Sequence, residues 1–104
     1  MVLYVIKYDI HPDKTEEFQK WTESAIQRIL AVPGVTEFRA YRTSVGSNQV
    51  ICTFEFADMA AWAAWADNED VKKLNQENFA LALNMESELW GPSEVVPKPI
   101  RPRG

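Results

Sequence analysis

Trp62 and Trp65 stand three residues apart in an alanine-rich stretch, a spacing that sets both rings on one side of a helix. Two such rings make a flat apolar wall, fit either to fill a core or to hold an aromatic ligand. Tyr4, Ile6 and Tyr8 share one parity of the opening run VLYVIKYDI, so as a strand they line one face of a sheet. Their phenols are either filler whose hydroxyls reach the sheet edge or donors to a substrate oxygen. Gln76 and its neighbour Asn75 carry amides able to do the same, and Trp90, beside Gly91-Pro92, either closes a pocket mouth or packs a last strand. This set can bind and orient a flat organic molecule and offer it hydrogen bonds. It holds no general base, and no catalytic residue can be named from it.

Other chemistries lack their residues. The chain has no Ser-His-Asp set, Gly-rich phosphate loop or zinc spacing. Its one histidine, His11, precedes Pro12 in a loop without a second His, Cys or carboxylate cluster, and reads as solvated; no metal is expected. Cys52 sits in an apolar run and reads as a small buried hydrophobe, with no cationic neighbour in sequence to activate it. Arg39 and Arg42 fall on opposite faces of one strand, so at most one reaches a shared pocket. Glu16, Glu17, Glu23, Glu69, Asp70 and Glu77 fall at helix starts or outer faces and read as solvating charges.

The elements that must position these residues follow from periodicity and punctuation. Residues 2–10 form a first strand, apolar on both parities over its first half. Asp13 is expected to cap a helix, with Glu16 in the capping-box position, and Phe18, Trp21, Thr22, Ala25, Ile26, Ile29 and Leu30 form its apolar stripe up to Pro33-Gly34. Residues 35–44 and 49–56 make a hairpin across the turn Gly46-Ser47-Asn48. Asp58 caps a short helix, Asp67-Asn68 interrupts it, and a longer helix restarts near Glu69 with Val71, Leu74, Asn78, Leu81 and Met85 on one face. Trp90-Gly91-Pro92 is expected as a loop, with Ser93 to Val96 as a short last strand. One domain spans 1–97, followed by an extended tail over 98–104.

Two strand–helix–strand units of this length give a four-stranded sheet with both helices on one face. The other face then exposes Leu3, Val5 and either Ile51 with Thr53 or Val50 with Cys52. Contiguous apolar surface of that kind is rare on monomers, and at about 25 cal/mol per Å² its burial is worth many kcal/mol before association costs. A homodimer packed sheet to sheet is the expected solution. The net charge of −4 and the absence of a basic cluster outside the tail argue against nucleic acid. No apolar stretch approaches the ~20 residues of a membrane helix, and no basic-then-apolar leader opens the chain, so a cytoplasmic protein without a membrane partner is expected.

The element order, Pro12-Asp13-Lys14 before the first helix, Pro33-Gly34 before the second strand, and Phe54-Glu55-Phe56-Ala57-Asp58 before an aromatic helix resemble the antibiotic biosynthesis monooxygenase type of dimeric α/β barrel. The resemblance covers residues 2 to about 96. It implies an α+β, ferredoxin-like βαββαβ fold with a four-stranded antiparallel sheet, dimerising sheet to sheet into a barrel. The chemistries of such proteins include cofactor-free oxygenation of anthrones or quinols, heme degradation and lactone isomerisation. Trp65 falls where heme-degrading relatives carry a pocket tryptophan, but Gln76 stands where their heme-ligating histidine would be, and an apolar residue near Ile6 replaces their strand asparagine. No cofactor is therefore expected.

Two functions remain open on these grounds. One is a cofactor-free monooxygenase acting on an aromatic, quinol- or anthrone-like substrate in a pocket between sheet and helices, lined by Tyr4, Ile6, Tyr8, Trp62, Trp65, Gln76 and Trp90. The other is a non-enzymatic dimeric ligand-binding or interaction module whose core the same aromatics fill. A cavity of roughly 300 Å³ or more with a few inward polar groups would favour the first.

Overall fold

The computed structural model describes residues 1–46 and 48–103. The β-branched and aromatic opening run forms strand β1 (Val2–Ile10), and the chain then turns through a single 3-10 turn at Pro12–Lys14 into helix α1 (Thr15–Ala31). The hairpin strands are β2 (Val35–Arg42) and β3 (Val50–Phe56); helices α2 (Met59–Ala66) and α3 (Glu69–Leu81) follow, and β4 (Ala82–Trp90) closes the sheet. Its strand order is β2-β3-β1-β4, with every neighbouring pair antiparallel. The helices all pack on one face, giving the ferredoxin-like arrangement of one sheet and one helical layer.

Side-chain parity fixes what each sheet face carries. Val2, Tyr4, Ile6, Tyr8 and Ile10 turn toward the helices, with Phe38 on β2, Val50, Cys52, Phe54 and Phe56 on β3, and Met85 and Leu89 on β4. Ile51 and Thr53 therefore belong to the outer face with Leu3 and Val5, and Val50 with Cys52 belong to the core. The outer face is less bare than the sequence implies. Val5 is 0% and Thr53 8% exposed within the single chain, because they pair with each other at the centre of the sheet and Val5 is flanked by Glu88 on its other side. Polar cover adds to this: Lys7 pairs with Glu88 at 3.4 Å and lies 5.8 Å from the centre of the Trp90 ring.

Helix boundaries follow local chemistry, with two corrections. Asp13 is not a helix cap. The 3-10 turn begins one step earlier, where His11 Nδ1 accepts the Asp13 N–H at 3.2 Å, so the histidine caps the turn and α1 starts without a side-chain cap. Leu30, expected in the apolar stripe of α1, is exposed. Asp58 caps α2 as expected, accepting from the Ala61 N–H at 2.8 Å, and Asn68 caps α3 through the Asp70 N–H at 2.8 Å.

The end of the chain differs most from expectation. Helix α3 stops at Leu81, whose carbonyl accepts the His11 N–H at 3.0 Å, while Lys14 Nζ reaches the Ala80 carbonyl at 3.1 Å. Met85 thus lies in a strand, not on the helix. Asn84, with φ of 56°, marks the irregular step in β4, where its side-chain N–H donates to Asp9. Trp90 ends β4 opposite Leu3 instead of starting a loop, and Ser93 to Val96 form no strand. The expected turn residue Ser47 and the terminal Gly104 lie outside the described residues.

Candidate functional site

Between the sheet and helices α1 and α3 lies a cavity of about 150 Å³, open on one side. The sheet floor supplies Ile6, Tyr8, Cys52 and Phe54; α1 supplies Phe18, Trp21, Ala25 and Ile29; α3 supplies Leu74, Asn75 and Asn78. These helical positions recur at three- and four-residue steps, so each helix turns one stripe inward. Tyr8 and Phe18 meet edge to face with centres 5.8 Å apart, and Phe18 adjoins Trp21 at 6.0 Å.

Few polar groups enter this apolar space. Burial pushes the Tyr8 phenol well above its ordinary range, helped by the nearby Cys52 thiol and opposed by a hydrogen bond from the Asn78 amide. Tyr8 therefore keeps its proton at any ordinary pH. Burial raises Cys52 too, so its thiol stays protonated and weakly nucleophilic. Asn78 is only 6% exposed, and its Oδ1 has no hydrogen-bond partner among the described residues. A buried amide oxygen without a donor is uncommon in native proteins. Asn75 sits one turn earlier on the same helix face.

Glu77, expected as a solvating charge, instead fixes the wall. It accepts both guanidinium nitrogens of Arg28, at 2.8 and 3.0 Å, and the Trp21 indole N–H at 2.8 Å. The Arg28 fork, followed by the Trp21 bond, holds the Glu77 carboxyl down to about 2. The carboxylate ties α1 to α3 and sets the orientation of Trp21, one side of the cavity.

Of the residues picked out from sequence, Ile6 and Tyr8 line the cavity. Tyr4, Trp62 and Trp65 form an adjoining aromatic cluster under α2: Tyr4 lies 6.0 Å from Trp62 and 5.8 Å from Trp65, and Trp65 meets Phe54 at 5.3 Å and Phe56 at 5.1 Å. Neither indole N–H in that cluster finds an acceptor among the described residues. Gln76 is exposed on α3, and Trp90 is on the outer sheet face, bonded through its indole N–H to Glu88 at 2.8 Å. Sequence reasoning passed over Phe18, Trp21 and Asn78 as stripe residues. The one available signal was an amide interrupting the apolar face of α3. Among the described residues there is no group of three or more His, Cys, Asp or Glu placed to hold a metal ion.

A small α+β domain with a ring-sized, mostly apolar cavity under its helices is thus the class of protein that these observations define. The sequence profile of the antibiotic biosynthesis monooxygenase family matches residues 1–77, and the chain belongs to that family. Asn78 falls one residue beyond the matched span. No curated protein matches the sequence. Solved structures share the fold at low identity. A Dabb-family protein with a ferredoxin-like fold from Mesorhizobium loti superposes with a TM-score of 0.78 at 19% identity, covering 88% of this chain and 96% of its own. The protein At3g17210 of Arabidopsis thaliana gives 0.79 at 9% identity over 90% and 97% of the two chains. SnoaB, a cofactor-independent oxygenase from Streptomyces nogalater, gives 0.72 at 16% identity over 93% and 97%.

Proposed function

We propose that this chain is a cofactor-free monooxygenase that oxidises a small, electron-rich aromatic ring of the quinol or anthrone type inside the cavity. The observation that carries the reading is the placement of Tyr8, Asn75 and Asn78 at an otherwise apolar cavity, in a chain that belongs to a monooxygenase family. The chemistry asks little of the protein. The substrate hydroxyl loses its proton, the oxyanion passes an electron to dioxygen, and the two radicals recombine as a peroxide on a ring carbon. The peroxide takes up a proton, and loss of that carbon's hydrogen as a proton with cleavage of the O–O bond leaves one oxygen as a carbonyl and releases the other as water. Phe18, Trp21 and Leu74 exclude water and orient the ring, while the permanently protonated Tyr8 and the Asn75 amide donate to the oxyanion as it forms. Among the described residues that line the cavity there is no Asp, Glu, His, Lys or Arg, so the proton leaves to water at the open side. Trp62 and Trp65 on α2 form with Tyr4 on β1 the aromatic cluster that adjoins the cavity, Gln76 is exposed on α3, and Trp90 lies on the face proposed for the dimer.

The working form is a homodimer joined through the outer sheet face. Leu3 and Ile51 form its apolar strip, flanked by the half-exposed rings of Tyr41 and Trp90. A second reading, a dimeric ligand-binding or interaction module without catalysis, draws on one observation: the cavity is smaller than the ~300 Å³ at which drug-sized ligand sites begin. Oxygen uptake decides between them. With a panel of quinols and anthrones, the wild-type protein should consume oxygen in step with substrate, and Tyr8→Phe should lower kcat by about 100-fold. No uptake above the uncatalysed rate with any member of the panel would contradict the enzyme reading.

A further inference from the structure

We propose that the C-terminal arm, residues 91–103, docks on a second copy of this chain, its cations seated against the acidic residues at the rim of that copy's outer sheet face. The inference rests on the homodimer proposed above and adds an exchange of arms to it. Three observations carry it.

The first is the isolation of the arm. Every described residue after Trp90 is exposed, Val95 at 89% and Ile100 at 80%. Among the described residues the arm's hydrogen bonds stay within it, the Val95 and Val96 N–H groups donating to Ser93 Oγ. The radius of gyration is 15.1 Å, against about 13 Å for a compact chain of this length, so the arm projects from its own body. Pro97, Pro99 and Pro102 hold it extended and withhold N–H groups from any helix or sheet, so docking costs it little entropy. At about 3.1 Å per residue it reaches roughly 40 Å, more than the width of a four-stranded sheet.

The second is charge. Residues 91–104 hold three of the chain's 11 Lys and Arg and one of its 15 Asp and Glu, so they carry +2 and the rest of the chain −6. Glu37, Glu55, Glu86 and Glu88 stand on the outer face. Arg39 matches Glu37 and Lys7 matches Glu88, while Glu55 and Glu86 have no ion partner among the described residues. The third is the arm's origin. Trp90 lies opposite Leu3, so the arm leaves from the rim of the surface that the dimer buries. Packing two such faces together brings unmatched carboxylates toward each other, which opposes association. Lys98, Arg101 and Arg103 of the exchanged arms supply the missing cations, and Val95 and Ile100 bring apolar surface to the same rim.

Sedimentation equilibrium on full-length chains tests this with two variants. One reverses the arm (Lys98→Glu, Arg101→Glu, Arg103→Glu), and the other reverses the face (Glu55→Lys, Glu86→Lys). Each alone should dimerise roughly tenfold more weakly than wild type, and the wild-type dimer should weaken between about 50 and about 500 mM salt. An equimolar mixture of the two should form heterodimers of near wild-type affinity, because each arm then meets a face of opposite charge. An arm lying on its own chain would gain nothing from mixing, and absence of heterodimer preference overturns the proposal. Should the face variant not fold, an arm variant that dimerises as tightly as wild type overturns it as well. Such a variant, if it lost wild-type binding to phosphatidylserine vesicles, would give the arm to a lipid surface instead. A wild-type chain that stays single overturns both the dimer and the arm exchange, whereas a salt-insensitive wild-type dimer overturns the exchange alone.

Discussion

Glu77 shows how far a side chain's role depends on neighbours distant in sequence. It lies three residues after Leu74 on α3, one position off the buried stripe, and nothing local marks it apart from the other acidic residues. Its partners Arg28 and Trp21 come from α1, 49 and 56 residues away. Because the folded protein holds this carboxyl at about 2 against an ordinary 4.5, it favours the folded state fully above the ordinary value and loses that contribution as the pH falls toward the depressed one. Urea unfolding of the wild type and of Glu77→Gln should therefore show a stability gap at pH 6 that shrinks between pH 4.5 and 2; a gap constant with pH would contradict the clamp. Trp65 gives the opposite lesson. Its aromatic type marked it from the sequence, and it is buried among Phe54, Phe56 and Tyr4 without lining the cavity. Trp65→Ala should cost about 3–5 kcal/mol of stability by denaturant titration. Asn78 was visible only as an amide in an apolar stripe, and only the packed structure shows that its oxygen lacks a donor among the described residues.

The secondary structure was most legible where punctuation is chemical. Asp58 and Asn68 announce their helices because a short acceptor side chain meets free N–H groups there. Asp58→Ala should lower stability by about 1 kcal/mol, most visibly as fraying of α2 in hydrogen exchange. Pro33-Gly34 marks the passage from α1 to β2 for a backbone reason: Gly34 holds φ of 124°, a conformation that residues with a Cβ rarely adopt. Gly34→Ala should destabilise through conformational strain, by about 1 kcal/mol or more, and a melting temperature equal to wild type would contradict that. Strand β4 was misread because Leu81, Ala82, Leu83 and Met85 are good helix formers whose spacing continues the α3 stripe. Long-range bonds decide against continuation: the His11 N–H takes the Leu81 carbonyl, and Asp9 takes the Asn84 side chain. Neither is visible from local sequence. The His11 turn was missed for a related reason, since an imidazole nitrogen performs the capping usually expected of Asp13.

The four-stranded sheet with helices on one face was readable from element order alone, because strand–helix–strand connections leave few alternatives. The condition of the outer face was not, since it depends on which residues pair across strands. Lys7 with Glu88, and Arg39 with Glu37 at 2.7 Å, dress the rim of that face in charge, and the half-buried Leu3 and Ile51 are what a second copy would cover. Light scattering at micromolar concentration should give twice the chain mass of 11.9 kDa; a folded sample with the mass of one chain would contradict the dimer. Replacing Leu3 with Glu on that face should shift the mass toward the single chain while leaving the cavity, on the opposite face, able to bind its ring. The most direct test of the cavity as the place of chemistry is a crystal structure grown without oxygen in the presence of a hydroquinone. The ring should lie between Phe18 and Phe54 with a hydroxyl toward Tyr8 and Asn75. A ring bound beside Trp62 or on the outer sheet face, with the cavity left empty, would contradict it.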